Sequence, residues 1–274
     1  MSSVKTSSGV EAGLTALAVS LRGVTKVYDN GVMALGPLDL AVRKGEFISL
    51  LGPSGCGKST ALRLIAGLGA PSSGIVRVAR PEGELRPGHG IGFVFQEPTL
   101  MPWASVRENV RLPLKLAGMP KAEARGRADE ALASVGLADF ADAFPRELSG
   151  GMKMRVSIAR ALVTEPNLLL MDEPFGALDE FTRNRLDDDL VRLWWERRLT
   201  TVFVTHSIYE AVFLSTRIIV MAANPGRIFR TMTIDAAQPR DLGFRDSPQF
   251  AAYCRELSAW LAEASLPQRT GGAA

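Results

Sequence analysis

The stretch GPSGCGKST, Gly52–Thr60, constrains this chain more than any other segment. It fits the pattern G-x-x-x-x-G-K-[ST]. Its glycines let successive backbone N–H groups converge on phosphate oxygens without side-chain obstruction. A helix beginning near Ser59 points its positive end at the same anion. Lys58 supplies a point charge for β- and γ-phosphates, and Ser59 offers a hydroxyl to Mg2+. The preceding run, Phe47–Leu51, is apolar on both faces and reads as a central strand of a parallel sheet. The nucleotide-binding residues are read as Gly52, Pro53, Ser54, Gly55, Cys56, Gly57, Lys58, Ser59 and Thr60. Cys56 lies among groups that attract anions, which favours its thiolate, so it is expected to react faster than Cys254. Cys254 sits on an apolar helix face and fits a small buried hydrophobe.

The rest of the chain supports an α/β fold. Val19 and Leu21, then Leu38, Leu40 and Val42, alternate with polar residues, which predicts an antiparallel sheet with one buried face. Leu168–Met171, Val202–Val204 and Ile218–Met221 are buried-strand runs like Phe47–Leu51. Helical patterns lie between them at Ser59–Leu68, Asp179–Arg197 and Ser207–Ser215, as in βαβ units with a mostly parallel sheet. From about Pro98 to Leu162 no strand is evident. Ser105 with Glu108 makes a capping box there, and Lys121–Val135 ends at Gly136 as a C-cap. A last helix starts at Ser247-Pro248, with Phe250, Cys254, Leu257 and Leu261 on one face. The expected fold is a phosphate-loop (P-loop) NTPase with a mostly parallel core sheet, an antiparallel β subdomain and an all-helical insert. The expected division is a flexible N-terminus at 1–16, a nucleotide-binding domain at 17–245 with its insert at about 98–162, and a C-terminal helix and tail at 246–274.

Three further positions converge on the phosphate loop. LLLMDEP, Leu168–Pro174, is a buried strand that delivers Asp172 and Glu173 at its carboxyl end, where ligands sit in open parallel sheets. Asp172 is positioned to hold Mg2+ through its water shell, and Glu173 to accept a proton from the attacking water. His206 follows the strand Thr201–Thr205, and Gln96 follows Ile91–Phe95. Each alone could be a satisfied polar residue at a strand end, but both positions lead to the same γ-phosphate.

A second glycine-rich cap follows. LSGGMKMR, Leu148–Arg155, places Ser149, Gly150 and Gly151 at a helix N-terminus, another anion-binding arrangement. One chain rarely needs two such caps for one nucleotide, so this cap is expected to serve a nucleotide held by a second copy. The ordered set GPSGCGKST, Gln96, LSGGM, LLLMDEP, Ala177-Leu178-Asp179 and His206 resembles the ATP-binding cassette (ABC) family over roughly residues 17 to 235. That resemblance implies ATP and Mg2+ as ligands and a head-to-tail dimer that sandwiches two ATPs. It implies that Tyr28 stacks on adenine, that Gln96 senses Mg2+ and the nucleophile, that Asp179 communicates across the dimer, and that His206 contacts the γ-phosphate. Met152 stands where glutamine is usual after LSGG, while Ser149 and the backbone donors are retained.

Finer features resemble one branch. QEPTLMPWASVRENV, LSGGMKMRVSIARAL, MDEPFGALDEFTR and the Asn224-Pro225-Gly226-Arg227 turn are similar to ATPases of nitrate/sulfonate/taurine-type importers. This implies hydrolysis coupled to uptake of a small solute, with nitrate, sulfonate, taurine and a vitamin precursor all open, through separate membrane permease subunits fed by a substrate-binding protein. The subunit itself would lie on the cytoplasmic face of the membrane. In such systems the Gln96 loop and helical insert receive the permease, and Trp103 is a candidate anchor. An exporter-type cassette and a soluble cassette of translation or DNA repair are the alternatives; the latter usually carries two cassettes or a long coiled-coil insert. A phosphate-loop kinase or GTPase would leave LSGG unexplained.

Bulk properties narrow the rest. Net charge is +3, from 32 basic and 29 acidic residues, too small and too interspersed to point to nucleic acid. Two cysteines without CxxC spacing suggest a reducing compartment, and two histidines exclude a His-rich metal site. The opening residues do not read as a signal peptide, and no apolar run is long enough for a membrane span, so a partner is expected to provide the membrane part. The 68 residues after His206 (274 minus 206) are too few for the β-rich regulatory domain of sugar-importer ATPases.

Overall fold

The computed structural model describes residues 17–79 and 90–266. The expected flexible segment 1–16 and the end of the tail lie outside the described residues. The elements are β1 (Leu17–Val27), β2 (Met33–Arg43), β3 (Phe47–Leu51), α1 (Lys58–Ile65), β4 (Ser73–Val78) and β5 (Ile91–Val94). There follow α2 (Val106–Leu116), α3 (Lys121–Ser134), α4 (Gly150–Leu162), β6 (Leu168–Asp172), α5 (Glu180–Arg197), β7 (Thr200–Thr205) and α6 (Ile208–Leu214). The chain continues with β8 (Arg217–Ala222), β9 (Arg227–Thr233), α7 (Leu242–Arg245) and α8 (Pro248–Ser265).

Two sheets form. The smaller has the order β2-β1-β4 and is antiparallel throughout. The larger has the order β5-β6-β7-β3-β8-β9, with only the last pairing, β8 with β9, antiparallel. The fold is therefore the α/β class expected, with a mostly parallel core and an antiparallel companion sheet. β4 and β9 are strands that the sequence pattern did not mark.

Burial follows the two-residue period of a strand. Ile48 and Leu50 of β3 face one side, where Val202, Val204, Leu168 and Leu170 join α1 and the antiparallel sheet. Phe47 and Leu51 face the other, where Leu169, Met171 and Phe203 meet α4, α5, α6 and α8. Phe47 packs edge-on against Trp194 of α5 at a centroid distance of 5.7 Å. A third cluster joins α2, α3 and α4. Helix α4 belongs to two clusters: Met154, Ile158 and Leu162 face the main sheet, and Val156, Ala159 and Val163 face the helical layer. The N-terminus of α4 carries Ser149, so that cap is held by both layers.

Ser105 caps α2 by accepting from the Glu108 N–H at 3.2 Å, but the box does not close. The Glu108 carboxylate instead takes the Arg111 guanidinium with both oxygens. A two-pronged charge-assisted pair outcompetes a single bond to a backbone N–H.

Candidate functional site

The sheet order explains why residues from distant segments meet. β5, β6, β7 and β3 are consecutive neighbours, all parallel, so their carboxyl ends lie side by side. Leu51 is in register with Thr205, Asp172 with Val204, and Val94 with Met171. Those ends lead directly to the phosphate loop, to His206, to Asp172-Glu173 and to Gln96. Gly176, in the loop after β6, reports how close they come: a Cβ placed there would lie 3.4 Å from His206 Cε1 and 3.9 Å from Gln96 Nε2.

The phosphate loop runs from β3 into α1. Gly57 caps α1 at φ 88°, and a Cβ on it would lie 2.5 Å from Leu35 Cδ2. Only glycine satisfies both the left-handed backbone and the contact. Lys58 is buried and donates from Nζ to the carbonyls of Gly52 at 2.8 Å and Pro53 at 3.2 Å. The same ammonium lies 3.9 Å from Glu173 Oε1. The loop thus holds a desolvated cation whose neighbours include a carboxylate, the electrostatic arrangement an anionic phosphate would enter. Tyr28 is 41% exposed, its hydroxyl is 3.2 Å from Thr60 Oγ1 at the end of the loop, and Lys26 Nζ lies 5.4 Å from its ring centroid.

At the end of the loop, Ser59 Oγ donates to Asp172 Oδ1 at 2.7 Å. Burial pushes the Asp172 carboxyl above its ordinary range, while the Ser59 hydroxyl pulls it back. Glu173 adopts φ 48°, an uncommon conformation for a residue with a side chain. Its N–H donates to Val204 O at 2.9 Å, and its Oε2 lies 3.3 Å from His206 Nδ1. A strained backbone that aims a carboxylate at an imidazole and a lysine is a hallmark of functional positions.

Ser149 caps the helix α4 that the two glycines open, and a Cβ on Gly150 would lie 3.3 Å from Leu178 Cδ2. Ser149 Oγ accepts from the Met152 N–H at 3.3 Å, so Met152 contributes its backbone where its side chain departs from the common pattern. A Cβ on Gly151 would lie 2.7 Å from Thr182 Cγ2, which brings α4 tightly against the start of α5. Asp179 caps α5, accepting from the Thr182 N–H at 2.9 Å. That bond pulls the exposed Asp179 carboxyl below its ordinary range.

One expectation is overturned. Cys56 is fully buried, and burial pushes its thiol up despite the opposing pull of Lys58. Its side chain points beneath the loop, and desolvation of a thiolate outweighs the nearby ammonium. Cys254 is partly exposed, although burial also raises its thiol, to about 11. A brief maleimide pulse on the native protein should therefore label Cys254 ahead of Cys56, read by peptide mass spectrometry. Cys56 labelling first would contradict this placement.

Two charged residues near the site escaped the sequence reading, Arg183 on α5 and Glu210 on α6. Glu210 is 4% exposed, and its Oε1 lies 3.4 Å from Arg183 Nε. The buried aspartate of α5, Asp187, escaped it too.

Comparison with known proteins agrees with this geometry. Residues 35–176 match the family model described as ABC transporter. The nitrate import ATP-binding protein NrtD of Synechocystis is 44% identical over 85% of this chain and 89% of its own. The aliphatic sulfonates import ATP-binding protein SsuB of Bacillus licheniformis is 43% identical, covering 85% and 90%. The taurine import ATP-binding protein TauB of Rhizobium johnstonii is 46% identical, covering 85% and 91%. Among solved structures, the dimeric post-hydrolysis state of an ATP-binding cassette bound to ADP and Pi superposes with a TM-score of 0.70 at 37% identity. That match covers 80% of this chain and all (100%) of the other. With its phosphate loop, strand-end carboxylates and glycine-rich α4 cap, the chain belongs to the ABC transporter family and is one of its ATP-binding, ATP-hydrolysing cassettes.

Proposed function

We propose that this cassette energises an importer for a small anionic solute of the nitrate, sulfonate or taurine kind. The observation that carries the mechanism is the meeting of Lys58, Asp172, Glu173, His206 and Gln96 at four adjacent strand ends. The phosphate loop from Gly52 to Thr60 binds the triphosphate through its backbone N–H groups and Lys58, and the Tyr28 ring stacks on adenine. The Ser59 hydroxyl and Asp172 carboxylate fit a Mg2+ ion that keeps waters and phosphate oxygens as its other ligands. Among the described residues no three His, Cys, Asp or Glu side chains form an all-protein metal cage, which suits such an open site. Bound there, the cation would neutralise charge on the phosphates; Gln96 stands by to sense it. Glu173 takes a proton from the attacking water as general base. His206 contacts the γ-phosphate and, through Nδ1, orients Glu173.

The second half of the reading is assembly. Two copies pair head to tail, so that Ser149, Gly150 and Gly151 of each close over the ATP held by the other, with Asp179 between the two sites. That a similar cassette was solved as a dimer supports the pairing of two copies. Residues 17–245 are assigned as the ATP-binding domain, with its insert at about 98–162, and 246–274 as a C-terminal helix and tail. Among the described residues no helix is long and apolar enough to cross a membrane. The importer reading therefore places the chain peripherally, on the cytoplasmic face, against separate permease subunits that receive solute from a substrate-binding protein.

Trp103 marks the permease contact. It precedes α2 and is 77% exposed, a large apolar surface open to a partner. Trp103→Ala is expected to weaken co-purification of the cassette with its permease, while the isolated subunit keeps its ATP affinity within about twofold. Equal losses in the pull-down and in ATP binding would contradict the assignment. A permease and a substrate-binding protein encoded beside this chain would separate the importer from an exporter or a soluble cassette.

A further inference from the structure

Two loops that face the γ-phosphate region from different strands are joined by one ion pair between a buried carboxylate and a partly exposed guanidinium. The first loop runs from Glu173 to Asp179 and ends in the cap of α5. The second is His206-Ser207, between β7 and α6. Glu210, in the first turn of α6, receives the Thr205 hydroxyl on Oε2. Thr205 Oγ1 in turn accepts from the Ser207 N–H at 2.9 Å, and Ser207 Oγ from the Glu210 N–H at 3.3 Å. This closed set of bonds fixes the turn that carries His206. The other carboxylate oxygen of Glu210 lies 3.4 Å from Arg183 Nε. Arg183 Nη2 donates to Leu178 O at 2.8 Å, the carbonyl directly before Asp179. Burial raises the Glu210 carboxyl, and the Thr205 hydroxyl and Arg183 pull it back.

We infer that Glu210 and Arg183 are positioning residues that lock the His206 turn to the Leu178-Asp179 loop, so that the γ-phosphate contact and the partner-facing loop move as one unit. The inference rests on the proposed roles of His206 and Asp179. An isolated surface pair would contribute little, but this one has a carboxylate that is almost wholly buried, and each partner also holds a loop. Loss of the link leaves the phosphate loop untouched, since neither residue contacts it, but lets His206 drift against Glu173. A misplacement of about 1 Å at a reacting centre costs up to about a hundredfold in rate.

The test separates positioning from stability. Glu210→Gln and Arg183→Gln are each expected to lower kcat for ATP at least about tenfold, with KM within about twofold of native. Arg183→Gln leaves the almost wholly buried Glu210 carboxylate without its cation and should lower Tm. The double variant removes both charges and should regain Tm, yet kcat should stay low, because the link is still absent. A double variant whose kcat recovers along with Tm would overturn the inference, as would single variants that keep native kcat. If Glu210→Gln does not fold, Arg183→Lys replaces it: it retains the charge but cannot span both partners, and native kcat there also overturns the inference. Glu173→Gln serves as the control. Native hydrolysis by that variant would fault the active-site reading itself, whereas failure confined to the Glu210 and Arg183 variants would fault only the link.

Discussion

Replacing Glu173 by glutamine is expected to slow ATP hydrolysis by about 10²–10⁴-fold while ATP still binds, the range assigned to loss of a general base. The substitution keeps the shape of the side chain. Its amide can still meet His206 Nδ1, which lies 3.3 Å from the native carboxylate, so His206 keeps a partner. Lys58, 3.9 Å from the native Oε1, loses a competing anion and becomes more available to phosphate. Binding should therefore hold or tighten. Single-turnover hydrolysis alongside equilibrium ATP binding checks both halves; a native rate would refute the base assignment, and lost binding would show that the change disturbed the loop.

The second large effect concerns the shared site. Ser149→Arg puts a bulky cation where the cap would close over a partner's ATP, and Lys58→Ala removes the ammonium from the phosphate loop. Each variant alone should be nearly inactive. The first should still bind ATP as a monomer, because Ser149 bonds only within α4, to the Met152 N–H. Mixed in equal amounts, the two should regain activity, since a mixed dimer unites an intact loop from one chain with an intact cap from the other. Random pairing restores about a quarter of the native sites. A mixture no more active than its components would contradict composite sites. Loss of the cap bond itself costs about 1 kcal/mol, so folding should survive.

The site was legible where its chemistry imposes a local pattern. Glycines that let a backbone approach phosphate recur at fixed spacing, and buried parallel strands read as unbroken apolar runs, so Gly52–Thr60, Asp172-Glu173, Gln96 and His206 could be placed in order. The strands β4 and β9 were not legible for the opposite reason. β4 pairs only with β1, lies largely exposed and begins at Ser73-Gly74, while β9 pairs only with β8 and mixes Arg227 and Arg230 into an apolar run. Neither shows the burial that writes a period into sequence.

Side-chain direction was hidden too. Asp187 stands in a run of three aspartates with no local sign of burial, yet it is 1% exposed and lies 3.6 Å from Arg245 Nη2. Its partner is 58 residues away (245 minus 187), beyond reach of any local pattern. Cys56 shows the same: Lys58 stands two residues away, but the sulfur is buried, and burial pushes the thiol up more than the ammonium pulls it down. Glu210 and Arg183 belong to this class, being charged residues on helices whose pairing exists only once α5 and α6 meet.

In the proposed dimer, ATP is held between two copies of this chain until Glu173 permits its hydrolysis. Sedimentation velocity of the Glu173→Gln variant tests it most directly. With Mg-ATP the protein should sediment at twice the monomer mass, and with Mg-ADP it should return to the monomer. A monomer at saturating Mg-ATP, with nucleotide bound, would contradict the account.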